Sequence, residues 1–164
     1  MKFFFYVFCM VTVLLAARPA DAAANGCFTP FEAEAEQGIR IHSELMVIGL
    51  NCRHLYRIHG RNLYDYYRAF TSRQSEVLEM YESSMLAYYR RIGVRNPDAA
   101  LRSLRTKFAN NVSVSVASMR PDIFCTKYSP RVYSASQMSV GDFRRWSTTY
   151  YTSHPVSQKM CNMR

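Results

Sequence analysis

The stretch NLYDYYRAFTSRQSEVLEMYESSMLAYYRRIG, Asn62 to Gly93, decides the fold class. Leu63, Tyr67, Phe70, Gln74, Val77, Tyr81, Met85, Tyr88 and Ile92 recur in three- and four-residue steps, which places them on one face of an α-helix. The spacing predicts one helix from about Asn62 to Ile92, roughly 45 Å long at 1.5 Å per residue. A kink is expected near Thr71-Ser72, and Gly93 ends the helix.

The flanks repeat this pattern. Upstream, Thr29 can cap a helix and Pro30 suits its first position, while Glu32, Glu34 and Glu36 complement the helix dipole in the early turns. Ile41, Leu45, Ile48, Cys52 and Leu55 form its apolar line, and Gly60 marks the break after it. Downstream, Asn96-Pro97-Asp98 reads as cap, first-position proline and first-turn acid. Leu101, Leu104, Phe108, Val112, Ser115 and Met119 extend a third stripe, and Pro121 stops it. Val112 to Val116 alternates like a strand, but both flanks keep helical spacing. The chain beyond Pro121 is less regular. Ser139 with Asp142 resembles a capping box, which predicts a short helix from about Val140 to Thr149 with Phe143 and Trp146 inward. Tyr150 to Arg164 reads as an extended tail. The expected architecture is an all-α, up-down bundle of three long helices and one short one, without internal repeats.

The N-terminus reads as an address. Met1-Lys2 precedes the apolar run FFFYVFCMVTVLLAA, Phe3 to Ala17, and Ala20-Asp21-Ala22 fits an A-x-A cleavage site. Residues 1–22 are expected to be a cleaved signal peptide and 23–164 a single exported domain; cleavage after Ala24 fits nearly as well. The apolar run falls short of the ~20 residues needed to span a bilayer. It also ends too early for a lipid-anchored Cys27. No later run is apolar enough to span. The expected compartment is periplasmic or secreted.

Removing that segment takes away Lys2, Arg18 and Asp21, so the formal charge falls from +9 to +8. Cys9 leaves too, and Cys27, Cys52, Cys125 and Cys161 remain. An even count in an exported chain favours two disulfides. Short connections make successive helices antiparallel. Cys52 then ends the first helix at the same end of the bundle where the third helix delivers Cys125, and the last segment brings Cys161 back to Cys27. The expected pairs are Cys52–Cys125 and Cys27–Cys161.

No stretch carries a recognisable catalytic signature. His42, His54, His59 and His154 lack metal-ligand spacing, and neither H-E-x-x-H nor C-x-x-C occurs. No metal or cofactor is assigned. Met160-Cys161-Asn162-Met163 gathers soft sulfur ligands suited to Cu(I), provided that Cys161 is a free thiolate. Glu76, Glu79 and Glu82 are spaced by three and read as a solvated helix face, with a carboxylate groove as the alternative. No G-x-S-x-G occurs. Asn111-Val112-Ser113 matches a glycosylation acceptor but falls mid-helix. The twelve tyrosines exceed what one stripe needs, and arginine makes up 17 of the 21 basic residues. Tyr and Arg are the residues that interfaces favour. Arg90, Arg91, Arg95, Arg102 and Arg105 gather around the second-to-third helix connection, where guanidinium forks could hold carboxylates or phosphates.

The stretches Ile41 to Cys52, Tyr67 to Thr71 and Thr106 to Asn111 resemble uncharacterised small exported proteins of alphaproteobacteria. The resemblance spans roughly residues 35–125. It implies a periplasmic helical protein and carries over no catalytic residue.

The expected function is non-enzymatic binding of an acidic partner or anionic envelope component, not nucleic acid, through a Tyr/Arg surface. One alternative is an enzyme or inhibitor of cell-wall metabolism, which would require a carboxylate such as Glu44 or Glu79 shielded in a cleft. Copper handling by the tail is the other.

Overall fold

The structure, a computed structural model, describes residues 26–149 and 154–161. The expected signal segment, its cleavage site and the tail tyrosines Tyr150 and Tyr151 lie outside the described residues. The chain is mostly helical and carries two disulfides. Its elements are α1 (Pro30–Cys52), β1 (Arg57–Ile58), β2 (Arg61–Asn62), α2 (Leu63–Arg73), α3 (Ser75–Arg91), α4 (Pro97–Ser118), α5 (Pro121–Gln137) and α6 (Val140–Ser147).

Helix α1 is the centre of the molecule. It begins with a complete capping box, Thr29 and Glu32 each bonding the other's backbone N–H, with Pro30 in the first turn. The other five helices all pack against it. Seventeen of its 23 residues are buried, so it has no solvent face. A helix enclosed on every side is expected to be apolar all round. This one carries Glu32, Glu34, Glu36, Gln37, Arg40 and Glu44 inside.

The predicted Asn62–Ile92 helix is two helices. The chain breaks at Gln74, whose φ of −101° and ψ of 10° leave helical geometry between α2 and α3. No proline or glycine causes this. Gln74 is fully buried, and its amide Nε2 donates to the Met138 carbonyl at 3.1 Å. A distant carbonyl at the α5–α6 junction therefore fixes the elbow. The stripe continues across it, with Phe70, Val77, Tyr81, Met85 and Tyr88 all buried.

The second correction follows Pro121. The segment read as irregular is the 17-residue helix α5, with Pro121 in its first turn. Phe124, Cys125, Val132 and Ala135 are buried along it. Pro130 sits inside the helix. It removes only the bond to the carbonyl four residues back, on exposed Thr126, where water can replace it. The described residues thus form six helices where three long and one short were expected. The Gly60 break is a two-stranded hairpin, with Arg57 opposite Asn62 and Ile58 opposite Arg61. His59 and Gly60 turn it at positive φ, as a two-residue hairpin loop requires. Helix α6 starts at the expected Ser139–Asp142 capping box.

The core is rich in rings. Phe143 meets Phe70 edge to face at 5.1 Å and Tyr81 at 5.9 Å. Phe28 meets Tyr88 at 4.7 Å. The disulfides are Cys52–Cys125 and Cys27–Cys161, joining residues 73 and 134 positions apart. This is the expected pairing. Beside Cys27, the described tail runs parallel to Phe28, whose N–H donates to Lys159 and whose carbonyl accepts from Cys161. Among the described residues, no helix is long and apolar enough to cross a membrane.

Candidate functional site

The buried charges of α1 set the electrostatics of the molecule. Glu32, Glu34 and Glu36 alternate along the sequence, so successive carboxylates point to opposite sides of the helix. Each meets a different element. Glu32 accepts two 2.7 Å bonds from Arg91 of α3. Glu34 accepts from Tyr81 Oη of α3 and Arg144 Nε of α6, both at 2.7 Å. Among the described residues, Glu36 has no cation within ion-pair distance. It accepts from Ser157 N in the tail at 2.6 Å and from the Ser157 hydroxyl. Burial pushes its carboxyl pKa upward, against the Ser157 bonds and the fields of Lys107 and Arg40.

One turn further, Gln37, Arg40 and Glu44 form a second buried row. Arg40 Nε donates to Gln37 Oε1 at 2.6 Å, and Arg40 Nη1 lies 3.4 Å from Glu44 Oε1. Gln37 Nε2 donates to the His154 carbonyl at 3.0 Å, fixing the tail there. Arg131 of α5 lies with Nη2 2.9 Å from Glu44 Oε2. That approach is an ion pair out of line for a hydrogen bond, and Glu44 Oε2 is left without an aligned donor. The Arg131 guanidinium also stacks over Trp146, 5.1 Å from the ring centre.

This row opens into a cleft of about 310 Å³. Helix α1 contributes Glu44 and Ile48, and α4 contributes Asn111, Val112 and Ser115. Helix α5 supplies Tyr128 and Arg131, and the tail supplies His154. Burial and the field of Arg40 lower the His154 pKa, with Arg131 adding to this and Glu44 opposing it. A broader depression of about 560 Å³ lies on the α2 surface around Arg61, Asp65 and Arg68.

The expected arginine cluster divides. Arg90, Arg95 and Arg102 are exposed, and none pairs with a carboxylate among the described residues. Arg91 is spent on Glu32 and on the ring of Tyr88, 5.2 Å away, while Arg105 holds Glu82. Every described tyrosine is buried or half-buried. Several of their hydroxyls bond within the fold. Tyr66 donates to the Ile58 carbonyl and Tyr88 to that of Gly26, both at 2.9 Å. Tyr67 shares a 2.9 Å bond with His42, and Tyr133 approaches His59 at 3.5 Å.

The remaining candidates resolve as follows. Cys161 is bridged to Cys27 and cannot serve as a copper thiolate, while Met163 lies outside the described residues. Glu76 and Glu79 are exposed and Glu82 is paired, so these three form a solvated face and no carboxylate groove. Asn111 is exposed on α4 and lies on the cleft rim. His54 accepts from Arg53 Nε at 2.7 Å on the surface. Among the described residues, no group of three His, Cys, Asp or Glu side chains is placed to hold a metal.

His42 carries a pH dependence. Burial, with a smaller push from Arg105, lowers its pKa to about 4. Its ring lies against Tyr67, itself raised to about 12 by burial. A histidine that is harder to protonate when folded stabilises the fold above its unfolded pKa and loses that contribution as pH falls through 6.5 toward 4. The loss is on the order of 3 kcal/mol. Glu36 runs the other way: a raised carboxyl pKa favours the fold as pH falls through it, so it partly offsets the loss. Denaturant melts of His42→Gln should therefore show a flatter decline between pH 7 and pH 4 than wild type. Parallel curves would refute the assignment.

No protein-family model, no curated protein and no solved structure matches the chain.

Proposed function

We propose that this is an exported, disulfide-stapled, non-enzymatic binding protein whose α3–α4 corner contacts an acidic partner or an anionic envelope component. The observation that carries the reading is the distribution of charge. Four of the twelve acidic residues are buried on α1, whereas Arg40 is the only buried basic residue among those described. Carboxylates that would neutralise an ordinary surface are inside. Arg90, Arg95 and Arg102 stand outside without carboxylate partners among the described residues. Guanidinium forks suit bidentate contact with carboxylate or phosphate groups. The N-terminal address and the two bridges support an extracytoplasmic location, where such a surface meets cell-wall and lipid anions more often than nucleic acid. The half-buried tyrosines, Tyr89 among them on α3, would add ring edges to this arginine surface.

The test is pelleting of the oxidised mature protein with vesicles containing anionic lipid, alongside covalent capture of partners in the periplasm. Replacing Arg90, Arg95 and Arg102 together by Ser should weaken either interaction about tenfold or more and reduce its salt dependence, without changing the circular dichroism. Equal binding by the triple variant would remove the basis of the proposal.

One observation favours a second reading, an enzyme or inhibitor acting on the cell wall. Glu44 is shielded and lines a cleft, as that reading requires. Against it, both Glu44 oxygens lie against guanidiniums, an arrangement that holds an anion in place better than it transfers a proton.

A further inference from the structure

The cleft between α1, α4, α5 and the tail is separate from the arginine corner, and the reading of that corner does not bear on it. Three features set the cleft apart from an ordinary surface groove.

The first is Glu44. Its side chain is only 6% exposed, yet Oε2 has no aligned hydrogen-bond donor. A buried carboxylate oxygen left in this state is costly and rare. The second is Arg131. One of its nitrogens faces Glu44 and its face covers Trp146, but the side chain stays 33% exposed. A guanidinium has five N–H donors. Those not turned to Glu44 remain available at the mouth of the cleft. The third is the lining. Ile48 and Val112 give apolar floor, and Asn111, Ser115 and Tyr128 give neutral polar rim. A few convergent polar groups on an apolar base are the ordinary composition of a small-molecule site, and about 310 Å³ is at the small end of that class.

A buried carboxylate oxygen held only by an out-of-line guanidinium contact therefore stands beside the remaining N–H donors of that guanidinium. The geometry points to a binding site for a small carboxylate that carries a hydroxyl or N–H donor next to its carboxyl group, the carboxylate docking on Arg131 and the donor completing Glu44 Oε2. Bidentate guanidinium–carboxylate pairing supplies the specificity for the acid over its amide. Two sources share this chemistry: an α-hydroxy acid and the C-terminus of an acylated peptide, such as a cell-wall stem would present.

The experiment is a nitrogen-15 NMR titration of the oxidised mature protein. Lactate stands for the hydroxy acid and N-acetyl-alanine for the peptide terminus. Propionate lacks the donor, and N-acetyl-alanine amide lacks the carboxylate. The expected result is saturable shifts centred on Ser115, Arg131 and His154 with lactate, N-acetyl-alanine or both. Propionate and the amide should bind about tenfold more weakly or not at all. Which of the first two saturates identifies the source. Arg131→Gln should abolish the response. Because that change also disturbs the Glu44 pair, Asn111→Trp is the second variant: it fills the exposed rim, touches no ion pair, and should also abolish binding. Failure of both carboxylates to saturate, equal binding of the amide or of a neutral sugar, or unchanged binding by a folded Asn111→Trp would overturn the inference.

Discussion

Gly38→Ala should destabilise the protein by about 3 kcal/mol, the largest effect expected of so small a change. A Cβ at this position would lie 2.2 Å from Cε2 and 2.4 Å from Cδ2 of Tyr81. Carbon atoms rest at about 3.5 Å or more, so the ring would have to retreat by roughly an ångström. It has nowhere to go. Tyr81 is wholly buried, bonded through its hydroxyl to Glu34, and packed between Phe31 and Phe143. Moving it disturbs the Glu34–Arg144 pair as well. In an unconstrained helix the same substitution would gain about 1 kcal/mol from propensity, so overpacking has to overcome that gain. Denaturant melts provide the measurement, and a double-mutant cycle gives the cause. In a Tyr81→Leu background the clashing ring atoms are gone, and Gly38→Ala should become neutral or stabilising. An equal cost in both backgrounds would show that the close approach is not the reason.

Loss of a disulfide should cost more still. In the chain-entropy model, a loop of 73 residues contributes about 4 kcal/mol and one of 134 about 5 kcal/mol. The two bridges differ in access. Cys52 and Cys125 are buried, whereas Cys27 and Cys161 are half-buried. Thiol–disulfide exchange needs an attacking thiolate to reach the sulfur. Mild reductant should therefore open Cys27–Cys161 first and free the tail, with Cys52–Cys125 surviving until the bundle itself opens. Differential alkylation and mass spectrometry would order the events. Simultaneous opening, or prior loss of Cys52–Cys125, would contradict this. Replacing Cys52 and Cys125 together by Ala should lower stability by about 4 kcal/mol in denaturant melts.

Much of the fold was legible because local chemistry agreed with the tertiary result. The caps at Thr29, Asn96 and Ser139 and the stripes through α1, α3 and α4 all mark real helices. The misses came from long-range causes. The kink read near Thr71-Ser72 falls two residues short of the break at Gln74, whose partner is 64 residues away. Helix α5 was obscured by Pro121, which begins a helix as readily as it ends one, and by Pro130, tolerated where a solvent-facing carbonyl loses its bond. The cleft was hardest to see, because Glu44, Arg131 and His154 come from three distant segments. One signal was available. Ala33, Ala35, Ile39, Ile41, Leu45 and Val47 surround the α1 axis, which marks a fully enclosed helix. Its glutamates could then have been read as buried anions awaiting arginines. Reading Glu32 and Glu34 only as complements to the helix dipole hid two of the ion pairs that organise the molecule.

The bridge connectivity also bears on how the chain is made. The bridges are nested: Cys27–Cys161 encloses Cys52–Cys125. In a chain threaded through a membrane N-terminus first and cleaved as proposed ahead of Cys27, the first two thiols to reach an oxidant are Cys27 and Cys52, and they are not partners. An enzyme that joins cysteines in order of arrival produces the wrong ring. Correct maturation then depends on a shuffling activity, or on a delay until Cys161 has crossed. Production in a host lacking a disulfide isomerase should trap a mispaired Cys27–Cys52 species, and the yield of native protein should follow isomerase supply more closely than oxidant supply.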